Sequence, residues 1–241
     1  MVSIIDQIWF SPLNVIYHGE LLKRQLPNEK KKSKEFRKVV EAVTVAQMLI
    51  GVMIKEGKEH WMQLVGDNEG SPDIRTISYV ESKDEKFDYM EQVDVEVVEY
   101  ESHTSAAIPR FIVDTKLTGS KSYDENTVIL CHVGSGVKSF LPDGITIKKV
   151  MDTVNSPCTV LLLAGTSPDA SELELFTLKP NVGLMLRYNP IEELMRLGRE
   201  KKFTGVINLK RGTKRPPTSN PSNKHYPFEK LGYVPTNSNQ Y

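Results

Sequence analysis

Two neighbouring acidic stretches hold the residues best suited to chemistry. They lie between Gly70 and Glu101. The first, GSPDIRTISYVES, places a Pro72-Asp73 pair ahead of a β-branched run, and the second, VDVEVVEYES, carries Asp94 and Glu96. A period of two puts Asp94, Glu96, Val98 and Tyr100 on one face and Val93, Val95, Val97 and Glu99 on the other. On adjacent strands, side chains sharing a face stand roughly 5 Å apart. Two carboxylates that close repel unless a cation lies between them. Hard oxygen ligands suit Mg²⁺, or Mn²⁺ in its place. The pattern predicts that Asp73 and Glu96 converge on such an ion, with Glu41 or Asp94 nearby.

Positioning these side chains requires a sheet and something to support it. From Lys34 to Glu56 there is no proline and no glycine before Gly51, and Phe36, Val39, Val40, Val43, Ala46, Leu49, Ile50 and Met53 recur at three- and four-residue spacing. That is a helix, capped by Ser33 with Glu35 in its first turn, and stopped at Gly57. Three strand-like runs follow, HWMQLV (60–65), DIRTISYV (73–80) and VDVEVVEYE (93–101), and their succession suggests an antiparallel meander. IPRFIVDTKLTG (108–119) reads as a helix with Pro109 in its first turn. TVILCHV (127–133) and CTVLLLAG (158–165) read as central strands buried on both faces. Residues 145–154 and 190–202 read as further helices and 173–178 as a strand, whereas residues 4–22 read as short strands or loops.

The order helix, three strands, helix, strand resembles the core of the PD-(D/E)XK nuclease superfamily, the restriction-endonuclease-like fold. Pro72-Asp73, the VDVEVVEY strand and Glu41 on the helix upstream carry the resemblance, which covers roughly residues 34–133. It implies an α/β (α+β) fold with a central mixed sheet flanked by helices. It also implies a metal-dependent nuclease acting on DNA or RNA, with Glu41, Asp73, Asp94 and Glu96 as candidate ligands of Mg²⁺ or Mn²⁺. The family's strand motif reads acid, any residue, lysine. Here that position holds Val98 if Glu96 is the acid, or Glu96 if Asp94 is. Family members sometimes supply the lysine from a neighbouring element, which makes Lys116 and Lys121 the candidates. Without such a surrogate the chain is a catalytically inactive nuclease-fold binding or assembly module.

A plainer reading stands beside this one. Asp73 can simply open a strand after a turn, Asp94 and Glu96 can face solvent, and Glu41 can sit on the polar edge of its helix. Gly134-Ser135-Gly136-Val137-Lys138-Ser139 follows a strand but has Val137 where a phosphate loop needs glycine. Cys131 and His132 are adjacent on a strand and face opposite ways, and neither zinc spacing nor a nucleophile elbow is present.

The 241 residues carry 31 basic and 31 acidic side chains, so a nucleic-acid partner would need a local patch. Lys210, Arg211, Lys214 and Arg215 form one in a Pro-, Asn- and Ser-rich arm. The expected layout is an extension over 1–33, an α/β domain over 34–209 and the arm over 210–241. Cys131 and Cys158 both sit in apolar runs and read as buried reduced thiols. No signal peptide or membrane-length apolar run is visible, so the expected setting is soluble and cytoplasmic, with a homo-oligomer as a possible assembly.

Overall fold

A computed structural model describes residues 7–27, 33–65, 72–80, 89–101, 104, 106–119, 122–134, 137, 141–166, 171–199 and 206–209. The chain is a mixed α/β protein. It divides into two compact units, residues 1–64, 75–92 and 194–241 in the first and residues 65–74 and 93–193 in the second. Lys121, Lys210, Arg211, Lys214 and Arg215 lie outside the described residues.

In the first unit, β1 (Gln7–Phe10) leads into α1 (Pro12–Gln25), followed by α2 (Lys34–Glu56), β2 (His60–Leu64), β3 (Ile74–Val80, from Arg75) and the first residues of β4 (Tyr89–Tyr100). The strand neighbours run β9-β1-β2-β3-β4, where β9 is Val206–Leu209. α2 forms over the span its periodicity predicts. The Ser33 side chain accepts from the Phe36 amide at 3.2 Å, and Gly57 ends the helix with φ of 69°, a left-handed conformation that costs glycine little. Val43, Ile50 and Met53 are buried, and Phe36 and Val40 are half-buried.

The region before α2 departs from expectation. Within residues 4–22 the expected short strand is present as β1, but the residues from Pro12 on form a helix instead of further strands or loops, because Ser11-Pro12, a pair that also suits a turn, is here a helix start. The Ser11 side chain accepts from the Asn14 amide and Pro12 takes the first helical position, where its missing N–H costs nothing. Gly19, inside α1, is a close-approach residue. A Cβ there would meet a Val43 methyl of α2 essentially head-on.

In the second unit the strands from Val93 of β4 onward are joined by β5 (Thr127–Val133), β6 (Thr159–Gly165), β7 (Leu173–Lys179) and β8 (Gly183–Tyr188), in the order β4-β5-β6-β7-β8. β4, β5 and β6 pair in parallel, and β7 and β8 add antiparallel, giving a mixed sheet. The parallel pairs need crossovers. The first is α3 (Ile108–Ile112), continuing as a π-helical turn over Val113–Leu117, and the second is α4 (Gly144–Met151). Register puts Val98 beside Cys131 and Tyr100 beside Val133, and Cys131 in turn beside Leu162. That face packs with Ile108, Ile112, Val113 and Leu117 of the first crossover and Ile147 and Met151 of α4 in one core. Leu130, Leu161 and Leu163 on the opposite face are buried too, as expected for central strands. β8 was not foreseen. It pairs with β7 and carries Arg187, which ion-pairs with Glu174 across the two strands.

Candidate functional site

The site lies wholly in the second unit and is built on the middle of β4. Alternation sends Glu96 to the same face as Val98 and Tyr100, the face covered by α3 and the π turn. Glu96 is therefore only 2% exposed. A buried, isolated carboxylate is costly, and here a cation meets it. The Lys116 Nζ donates to Glu96 Oε2 at 2.8 Å, with the lysine side chain 19% exposed.

Two local features aim Lys116. The Tyr100 hydroxyl donates to the Ala106 carbonyl at 2.7 Å, and the Tyr100 ring meets Phe111 edge-on at 5.2 Å, which pins the start of the crossover to the end of β4. The Thr118 amide then reaches back five residues to the Val113 carbonyl at 3.0 Å, so the last turn is one residue wider than an α turn. Val113 and Leu117 stay in the core while Asp114 and Thr115 face outward and Lys116 points to the sheet.

Asp73 immediately precedes β3, the strand next to β4. Its carbonyl accepts from the Val65 amide at 3.3 Å, and its Oδ2 accepts from the Val97 amide at 2.9 Å, next to Glu96. Its second oxygen has no partner among the described residues. Asp73 is half-buried behind a buried Pro72.

The remaining wall is Tyr123, a residue not singled out from sequence. It sits in the turn that enters β5. The Asp124 side chain accepts from the Asn126 amide and the Thr127 hydroxyl, the Asn126 carbonyl accepts from the Asp94 amide at 2.9 Å, and the Ser156 hydroxyl donates to the Tyr123 carbonyl. Tyr123 is 6% exposed, and its hydroxyl is buried with no hydrogen-bond partner among the described residues. Burial, then the charges of Glu96, Cys158 and Asp73, push its pKa up to about 12. Both carboxylates thus act electrostatically on one buried phenol. Nothing in SKSYDENT distinguishes Tyr123 from an ordinary turn tyrosine, so only the fold could reveal it.

Of the expected residues, Glu96 and Lys116 are in direct contact, and Asp73 bonds the amide of Val97, the residue after Glu96 on β4. Asp94 is half-buried two residues before Glu96 on the same strand, and Glu41 is half-buried on α2 in the first unit. Among the described residues no three His, Cys, Asp or Glu side chains are grouped so as to hold a metal. Mg²⁺, however, is commonly bound through one or two carboxylates, with waters and substrate phosphates completing its shell. Asp73 has an oxygen with no partner among the described residues, and its bond to the Val97 amide places it one residue along β4 from Glu96, a donor set of that sparser kind. Both cysteines are buried and free, and burial pushes the Cys131 thiol up to about 12, which leaves it protonated and unreactive. No described helix is long and apolar enough to cross a membrane. No protein-family model, curated protein or solved structure matches the chain.

Proposed function

We propose that the second unit carries a divalent-cation site for hydrolysis of phosphodiester bonds in DNA or RNA, in the manner of a divergent PD-(D/E)XK nuclease. The observation that carries this reading is the 2.8 Å contact between Lys116 Nζ and Glu96 Oε2. It supplies, from the following helix, the lysine that β4 itself lacks. The chain order α2-β2-β3-β4-α3-β5 agrees with the core order of that superfamily. Asp73 and Glu96 would hold Mg²⁺ or Mn²⁺, which when bound supplies a more acidic water and neutralises charge on a phosphate.

The chain's own residues do the rest. Asp73 is held in place through Val97, so its free oxygen is presented without rearrangement. Lys116 donates to the buried carboxylate and keeps two further N–H donors for a water or a phosphoryl oxygen. An ammonium in so dry a setting stabilises developing negative charge far better than it would in water. The apolar wall of Val98, Ile112, Val113 and Leu117 limits solvent entry on the helix side.

A second reading has its own support. Lys116 already neutralises Glu96, and a buried ion pair of this kind is also what a purely structural role would look like. In that case the chain is an inactive nuclease-fold binding or assembly module. Titration with Mn²⁺ by calorimetry, and incubation with plasmid and single-stranded substrates in Mg²⁺, separate the two. The nuclease reading requires binding, cleavage, loss of both in Asp73→Asn, and loss of cleavage with binding spared in Lys116→Ala. Absence of Mn²⁺ binding in the unaltered protein defeats it.

A further inference from the structure

We propose that Tyr123 is a positioning residue of the Asp73–Glu96 site, its phenolic oxygen accepting a hydrogen bond from a water held by the bound divalent cation. The inference rests on the cation-site reading above. Three observations support it. First, the hydroxyl is buried and without a partner among the described residues, although buried hydroxyls in folded proteins nearly always find one. Second, its ring packs in the same core as Val98, Val113 and Leu117, the residues that flank Glu96 on β4 and Lys116 on the crossover, and the charges of Glu96 and Asp73 act on it there. Third, its backbone is fixed by the Ser156 hydroxyl and by the hydrogen-bonded Asp124–Thr127 turn, so the unpaired position is not a matter of a loose side chain.

The chemistry fits a neutral phenol at this position. Cation-bound waters are strongly polarised donors and need an acceptor, and a tyrosine oxygen has two lone pairs to offer. A third carboxylate would do the same work at the cost of more negative charge in a buried cleft, whereas tyrosine adds none. Groups that orient a metal's ligands or waters typically change affinity by about 10–100-fold when removed.

Tyr123→Phe deletes one oxygen and keeps the ring in its core. The probe is Mn²⁺ alone, titrated by calorimetry into the full chain without nucleic acid, alongside the melting temperature of the metal-free protein. The expected result is about tenfold weaker Mn²⁺ binding or more, together with a melting temperature that is unchanged or higher, because an unsatisfied buried hydroxyl has been removed. Unchanged affinity in Tyr123→Phe, while Asp73→Asn loses binding, overturns the role of Tyr123 and leaves the cation site standing. No Mn²⁺ binding in the unaltered protein overturns both. A lowered melting temperature marks Tyr123 as a core tyrosine and overturns the inference. A measurement on the unaltered chain needs no variant: with tyrosine rings isotope-labelled, Mn²⁺ should broaden a buried tyrosine's resonances. Broadening of none overturns the assignment as well.

Discussion

Lys116 and Glu96 are twenty residues apart in the chain and 2.8 Å apart in space, one on the π turn and one in the middle of β4. The contact joins a strand to its own crossover. Breaking it from either end leaves a charge in a dry place. Lys116→Met is expected to destabilise the chain by about 3 kcal/mol, because a carboxylate that is 2% exposed loses its positive counter-charge. Glu96→Gln with Lys116→Met should recover most of that loss, since both charges are gone. Urea unfolding of the two single variants and the double variant measures the coupling. Additive effects, with no coupling beyond about 0.5 kcal/mol, would show that the pair is not a unit.

Asp73 has two separable duties, and two substitutions tell them apart. Asp73→Asn keeps an oxygen for the Val97 amide, so stability should fall by less than about 1 kcal/mol while Mn²⁺ binding disappears. Asp73→Ala leaves that amide unsatisfied and should cost about 1–3 kcal/mol in addition to the lost binding. Equal unfolding midpoints for the two variants would mean that the hydrogen bond contributes nothing.

His60 on β2 in the first unit should make the protein acid-sensitive. Burial, with a smaller contribution from the Lys58 charge, pushes its pKa down to about 4 from an ordinary 6.5. The folded state therefore favours the neutral imidazole. Its contribution is fully present above pH 6.5 and is lost as pH falls from there toward 4, at up to about 1.4 kcal/mol per unit of difference. Unfolding midpoints at pH 7.0, 5.5 and 4.5 should fall more steeply for the unaltered chain than for His60→Gln. Parallel pH profiles would remove His60 from the acid response.

Gly19 and Val43 make a packing prediction within the first unit. Gly19→Ala drives a methyl into the Val43 side chain and should cost about 1–3 kcal/mol through overpacking. Val43→Ala in the same chain should relieve part of that cost, so the double variant is more stable than the sum of the singles predicts. Circular dichroism melts of the four proteins check it.

How much of this was legible in the sequence depended on whether a feature was local. α2 was readable to its caps, because Ser33, Gly57 and a 23-residue apolar rhythm all point the same way. β5 and β6 were readable because a strand buried on both faces has few other ways to look. α1 was missed because Ser11-Pro12 serves equally as turn and helix start, and the bond from the Asn14 amide to the Ser11 side chain that marks the helix start shows only in the fold. β9 was missed because four residues gain their identity only by pairing with Gln7–Phe10 at the other end of the sequence. At the site, Asp73 and Glu96 stood out by type and spacing. Lys116 was one of two candidates until the crossover's geometry aimed it. Tyr123 could not be found at all, since its significance is an unfilled hydrogen bond rather than a pattern.

The wide turn at Val113–Leu117 gives the chain an unusual sensitivity to insertion and deletion. Val113 and Leu117 are its two hydrophobic anchors. With one residue fewer between them the ordinary α ladder would close, and the anchors would fall three apart instead of four, still on one face of the helix. The core would survive such a loss. The lysine would not keep its aim, because one residue is about 100° of helical rotation. A single codon therefore separates a chain that presents an ammonium to Glu96 from one that turns it away. In a lineage of such proteins, the gain or loss of this charge would be a matter of length rather than of composition.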